Sequence, residues 1–267
     1  CDDGSTDATA GVLAARRPYR LTSLRRENGG PGAARNDAIL AASGDLLVFF
    51  DDDVEPSPDA IRLHAEAHEH DRDLVVLGTM HPHEGVRTPW IAWELRTLAR
   101  QYDNMTRGVY EPTPRQFFTA NASVRREHVV RAGMFDVAYR RAEDVELAFR
   151  LEAQGLRFAF RPGIRVWHDP DRSLAAWKRV ARQYGEYDVM MWRAGRREDV
   201  LSIIADEFRE RHGAVRAAVR AAVGRRWAVA ASSALLMAGA RAAYAMRLER
   251  PALAAASIVF NVEYMDG

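Results

Sequence analysis

Along the first two thirds of the chain, apolar positions switch repeatedly between helical spacing and short strand-like runs, a pattern that predicts an α/β layered fold. A helix capped by Ser5 or Thr6 is expected to run to about Arg17, ahead of a strand from Tyr19 to Arg25. "ENGGPGAARNDAILAASGD" gives a glycine-rich turn, a helix entered near Pro31 and a stop at Gly44. Leu46 to Phe50 is a continuous apolar run of strand length, the pattern of a central strand buried on both faces of a mostly parallel sheet. "SPDAIRLHAEAHEHD" reads as a capped helix and Leu74 to Thr79 as a strand. Between Pro82 and Pro114 the chain is rich in Pro, Trp and Tyr around a helical Trp90 to Tyr102, as expected of a segment lying over a site. Phe117 to Arg125 reads as a strand leading into a short helix, Glu127 to Ala132. "AEDVELAFRLEAQG" is a helix closed by Gly155, and "LRFAFRPGIRVWH" a strand pair ending at His168.

From about Ser173 the pattern becomes almost wholly helical, so residues 1–195 are expected to form an α/β domain and 196–267 a helical extension. Within it, Trp227 to Ala240 is apolar between Arg226 and Arg241, shorter than the roughly 18 residues that a membrane span needs. Such a run suits a buried helix or one lying at a membrane surface. At 267 residues, 48% of them hydrophobic, the chain can bury a sizeable core. A formal net charge of +1 is too balanced for a nucleic-acid-binding domain, so small or uncharged partners are expected. The single cysteine, Cys1, rules out an internal disulfide and makes a reducing, cytoplasmic compartment the expectation. The chain opens on Cys1 inside a motif, with no signal-like segment ahead of it, and reads as lacking one strand–helix–strand unit of about 30 residues.

The most informative chemistry lies in "LLVFFDDDVEP". Adjacent carboxylates about 5 Å apart repel by about 3 kcal/mol at an effective dielectric near 20, so Asp51, Asp52 and Asp53 call for a compensating charge. On a strand, Asp51 and Asp53 share one face, their Cα atoms about 7 Å apart, and Asp52 takes the other. Two converging carboxylates suit a hard divalent cation that also binds substrate phosphates. They stand, moreover, at the carboxyl end of a strand, where α/β sheets bind ligands. The plainer reading makes them turn or cap residues ahead of Ser57, which accounts for one aspartate better than for three. A phosphatase of the haloacid dehalogenase type also sets Asp-x-Asp after an apolar strand, but it wants Thr or Val where Glu55 stands.

Five stretches, in order from Cys1 to His168, resemble the family 2 glycosyltransferases, inverting enzymes of the GT-A fold that use nucleotide-diphosphate sugars. "CDDGSTDAT" is similar to the family's Asp-Asp-Gly-Ser-x-Asp turn, and "NGGPGAARNDAI" to its Asn-x-Gly…Ala-Arg-Asn helix start. "FFDDDVEP" resembles its metal-binding Asp-x-Asp, "AEDVELAFRLEAQG" its Glu-Asp helix with a closing Gly, and "RVWH" its strand-end His. The resemblance implies a GT-A sheet flanked by helices, with donor- or acceptor-binding roles for Asp2, Asp3, Arg35, Asp51, Asp52, Asn121 and Glu143. It implies Mn²⁺ or Mg²⁺ held by Asp51 and Asp53, with His168 as a third ligand in part of the family. Asp144 matches the catalytic base that takes the proton from the acceptor hydroxyl. The implied partners are a nucleotide-diphosphate sugar and a glycan or lipid-linked acceptor, met at the cytoplasmic side of a membrane. Trp90, Trp93 and Tyr102 suit either stacking on a sugar or, at helical spacing, core packing. A nucleotidyltransferase is the rival chemistry; it normally adds a basic, glycine-rich phosphate loop near the first strand, a region that this sequence reads as lacking, so the two stay open on that feature. A catalytically weak nucleotide-sugar-binding module is the third reading, opposed by the presence of Asp51, Asp53 and Asp144.

Overall fold

The computed structural model describes residues 1–15, 18–83, 88–195 and 199–267. Its elements begin with α1 (Thr9–Ala14), α2 (Pro31–Ala41), β1 (Leu46–Phe49), β2 (Val54–Pro56), α3 (Ala60–Ala67), β3 (Leu74–His81) and α4 (Pro89–Thr106). A 3₁₀ turn at Pro114–Gln116 leads to β4 (Ala122–Arg125), α5 (Arg126–Arg131), α6 (Glu143–Ala153) and β5 (Arg157–His168). The remainder is helical: α7 (Leu174–Arg193), α8 (Val200–Glu210), α9 (Gly213–Ala222), α10 (Arg226–Ala245) and α11 (Glu249–Asp266). The chain divides into two compact units. One comprises Cys1–Asp52, Pro56–Thr79 and Glu111–Arg165; the other comprises Asp53–Glu55, Met80–Tyr110 and Val166–Gly267.

The strands form a 5-stranded sheet in the order β1-β4-β3-β5-β2. Strand β4 runs antiparallel to both β1 and β3, where a mostly parallel sheet was expected. Alternation along β3 sends Val75 and Leu77 to one core, with Phe117, Val124, Leu147 and Leu151, and Leu74 and Val76 to another, with Ala60 and Ile164. The strand buried on both faces is therefore β3. By contrast β1, expected in that place, has only Leu47 buried and its other three residues half-covered. An apolar run shows that a strand can be covered, not which neighbours cover it. Helix α6 closes the first core with Leu147 and Leu151, both 0% exposed, and truncating either to Ala is expected to cost about 2–5 kcal/mol.

Other boundaries differ from expectation for local reasons. Helix α1 starts at Thr9, whose N–H donates to Asp7 Oδ1 at 3.0 Å, and the expected end at Arg17 lies outside the described residues. Tyr19 to Arg25 forms no strand beyond a parallel bridge of Arg25 to Asp2. Residues 117–121 form a turn, in which Asn121 N–H donates to Phe118 O at 3.2 Å, so the strand begins only at Ala122. The expected strand pair at the end of the first unit is one strand, β5, running straight through Pro162 and Gly163.

In the second unit, α4, α7, α10 and α11 pack Trp90, Trp177, Met237, Ala256 and Val259 together. A further cluster of Val215, Val219, Val229 and Val262 joins α9, α10 and α11. Trp90 is 5% exposed and its indole N–H donates to Arg172 O at 2.9 Å. Trp93 lies edge-on to Trp177, with centroids 5.7 Å apart, and Tyr102 Oη accepts from Met80 N–H at 3.2 Å. Trp90 is thus a core residue, Trp93 packs half-buried against the same cluster, and Tyr102 is half-buried. Buried Glu263 is held by Lys178 at 2.8 Å and Arg182 at 2.9 Å.

Candidate active site

The site in the first unit starts at the entry to α2. Gly30 has φ 91°, a left-handed conformation that favours glycine, and an added Cβ would meet the Arg140 side chain at 3.0 Å. The Asp3 carboxylate accepts from Gly29 N–H at 2.8 Å and Gly30 N–H at 2.7 Å. It thereby holds the Gly-Gly-Pro turn, where a negative charge is favoured beside a helix N-terminus. Asp2 is 6% exposed. Hydrogen bonds from the Ser5 hydroxyl and backbone, followed by the charge of Arg25, hold its carboxyl below the ordinary carboxylate range. Its Oδ2 is buried without a hydrogen-bond donor, 3.5 Å from Arg25.

One turn into α2, Arg35 reaches two acids that are far apart in sequence. Its Nη1 donates to Glu143 Oε1 at 2.6 Å and its Nη2 to Asp51 Oδ1 at 2.7 Å, and its guanidinium lies 5.7 Å from the Phe135 ring centre. Burial disfavours this cation, but the charges of Asp51 and Glu143 more than offset that and raise its pKa. Thr119 Oγ1 is 3.4 Å from Asp51 Oδ1. Asp144 follows Glu143 in the first turn of α6, which is entered through Ala142 at φ 56°, a left-handed conformation costly for a non-glycine residue. Burial first, then the charge of Glu143, pushes the Asp144 carboxyl up to about 7, against the opposing Val145 N–H and Arg35. Two carboxylates bond to one guanidinium, and a third that feels its charge, Asp144, is pushed up to about 7.

The acidic triplet is divided. Strand β1 has ended before Asp51, and Asp52 and Asp53 form a turn, so strand alternation does not govern where they point. In the second unit His168 Nε2 lies 3.2 Å from Asp53 Oδ2, an imidazole nitrogen beside a carboxylate oxygen. Both atoms are donor types suited to Mn²⁺. Nearby, His83 joins Glu55 Oε2 at 3.2 Å and Asp169 Oδ2 at 3.1 Å. Among the described residues no three His, Cys, Asp or Glu side chains converge as a ready cage for an ion.

Asn121, expected to face donor sugar or acceptor, is 4% exposed. Its amide donates to Thr79 O at 3.0 Å and Ile164 O at 3.1 Å, and its Oδ1 meets His64 Nε2 at 3.0 Å. Ser123 Oγ joins His64 Nδ1 at 2.8 Å and His68 Nε2 at 2.9 Å. Gly78 is required beside it, because a Cβ there would meet Asn121 Nδ2 at 2.2 Å. Both amide hydrogens of Asn121 are therefore spent inside the protein. Sequence reading missed Thr119, which sits in an apolar stretch, and His83, which lies in no motif. It missed His64 and His68 as well, whose spacing of four on one helix face was the available signal.

Comparison with known proteins fits this architecture. The fold is shared with the mannosyltransferase PcManGT from Pyrobaculum calidifontis, solved with GDP-Man and Mn²⁺: TM-score 0.60, 24% identity, 96% of this chain and 75% of that one. It is also shared with S. aureus TarS 1-349, solved with UDP-GlcNAc: TM-score 0.54, 16% identity, 99% of this chain and 80% of that one. This is the GT-A class of α/β fold. The Glycosyl transferase family 2 model matches residues 1–132 of the 267. The uncharacterized glycosyltransferase YfnE of Bacillus subtilis (strain 168) is 28% identical over 219 residues, 62% of this chain. The match spans 55% of that relative's length.

Proposed function

We propose that the protein transfers a sugar, with inversion, from a nucleotide-diphosphate donor to an acceptor hydroxyl. The carrying observation is Asp144: a carboxyl raised to about 7, beside Glu143 and the Arg35–Asp51 pair, at the start of α6. A general base is most effective when its pKa lies near the working pH. In this reading Asp144 removes the proton of the acceptor hydroxyl as that oxygen attacks the anomeric carbon opposite the diphosphate. Arg35 keeps Asp51 and Glu143 in place and limits the repulsion that ionised Asp144 meets.

The donor class is supported by GDP-Man and UDP-GlcNAc, both nucleotide-diphosphate sugars, in the two fold relatives. The buried Oδ2 of Asp2 is an acceptor suited to a ribose or base donor. Asp53 and His168, with Asp51 two residues earlier in the chain, would hold Mn²⁺ or Mg²⁺, which stabilises charge on the diphosphate leaving group. The expected setting is the cytoplasmic assembly of a glycan, glycolipid or polysaccharide.

A thermal-shift screen of nucleotide diphosphates with and without Mn²⁺, followed by transfer assays with the stabilising base, tests the reading. Asp53→Ala should abolish the Mn²⁺ dependence of nucleotide binding. An identical titration with and without the metal in the unmodified protein would remove the metal from the proposal.

A further inference from the structure

Helix α10 is apolar on two opposite sides. On its inner side Val229, Ser233, Met237 and Ala240 are buried, and Ser233 Oγ donates to Glu263 Oε1 at 3.0 Å. The outer side is exposed and runs through Trp227, Ala231, Ala234, Leu235, Ala238 and Ala242 without a charged residue. Trp227 is 75% exposed and Leu235 77%, whereas a helix bathed in water puts polar residues there. Among the described residues α10 alone is long and apolar enough to cross a membrane, yet only 22% of its apolar window is buried.

Charge is concentrated around this helix. Of the chain's 38 basic and 37 acidic residues, eight arginines and one glutamate fall within residues 211–250, a net +7 there against −6 for the rest. Arg225 and Arg226 stand exposed at the start of α10, Arg241 within its last turns, and Arg247 and Arg250 just beyond it. An uncharged apolar strip with tryptophan at one end and arginines around it matches the layers of an anionic bilayer surface. There indoles sit at the headgroup level, aliphatic side chains reach the acyl chains, and each basic residue adds attraction to acidic lipid.

We propose that the outer side of α10 docks the protein onto membranes containing anionic phospholipid, the helix lying in the interface. Lying flat is favoured over spanning because the inner side is already engaged, through Ser233, with the ion-paired Glu263 of α11.

The test uses the full chain and no nucleotide sugar, so its outcome is separate from that of the transferase reading. Cosedimentation is measured with vesicles of phosphatidylcholine alone or mixed with phosphatidylglycerol, at low and high salt. Binding is expected only to the mixed vesicles and should weaken with salt. Leu235→Glu, and separately Arg225→Ser with Arg226→Ser, should each lower it by about tenfold or more. Ile61→Glu, at an exposed site on α3, should leave it unchanged. Trp227 should be quenched by brominated lipid, as judged against Trp227→Phe, a readout that needs no charged variant to fold. Absence of binding to mixed vesicles at low salt would overturn the proposal, as would equal binding by Leu235→Glu. So would a dimer in sedimentation velocity that Leu235→Glu dissociates while vesicles stay unbound.

Discussion

Two polar clusters in the first unit meet burial in opposite ways. Around Ser123, two histidines and Asn121 are almost fully enclosed, and their contacts pair neutral donors with neutral acceptors. Burial first, then the charge of Arg125, lowers His68 to about 4, so the cluster stays uncharged at neutral pH. Around Arg35, two carboxylates bond to one cation, and burial raises a third, Asp144, instead of pairing it. The first arrangement gains cohesion by avoiding charge. The second keeps an electrostatic imbalance, and the proposed transfer chemistry rests on it.

The largest expected effect is at Asp144. Asp144→Asn should reduce transfer by about 10³-fold while nucleotide binding, measured by calorimetry, changes little. Equal loss of both would remove Asp144 as the base. Its folded carboxyl keeps a proton that the unfolded chain, at 3.8, has released, so wild-type stability falls as pH rises from about 4 to about 7. The melting temperature of Asp144→Asn should therefore gain on the wild type across that window and hold its lead above it.

Arg35→Gln comes next. It leaves Asp51 and Glu143 facing each other and Asp144, and should cost about 2 kcal/mol in urea unfolding, discounted from a fully buried pair because the Arg35 side chain is 21% exposed. The rise of activity with pH should also move upward, since Asp144 loses a cation that favours its ionised form.

Asn121→Ala should cost about 1–3 kcal/mol by leaving Thr79 O, Ile164 O and His64 short of partners, with donor KM unchanged. A raised donor KM with intact stability would instead put Asn121 in the donor site. The smallest effect belongs to His68→Gln. Because the histidine is depressed in the fold, its stabilising contribution is present above 6.5 and lost as pH falls through about 4. Melting curves across that interval should be flatter in the variant.

What was legible in the sequence was what is local. The entry to α2 at Gly30-Pro31, the first turn of α6 and the strand Leu74–His81 are encoded by caps and periodicity within a few residues. The link from Arg35 to Glu143 spans 108 residues, and nothing local in an arginine says which acid it will meet. The same holds for β1, whose apolar residues matched a central strand but whose pairing partner, β4, was set by topology. Buried His64 and His68 alternate with exposed Glu66 and Glu69, so their immediate neighbours carry no sign of the burial that tertiary packing imposes.

The bare backbone at Gly78 has a consequence for which side chains the fold accepts. A Cβ there would meet Asn121 Nδ2 at 2.2 Å and Ile164 O at 2.5 Å, so any larger residue at 78 would unseat the amide that ties Thr79 O to Ile164 O. The missing side chain at one position is what makes room for a buried polar one at another.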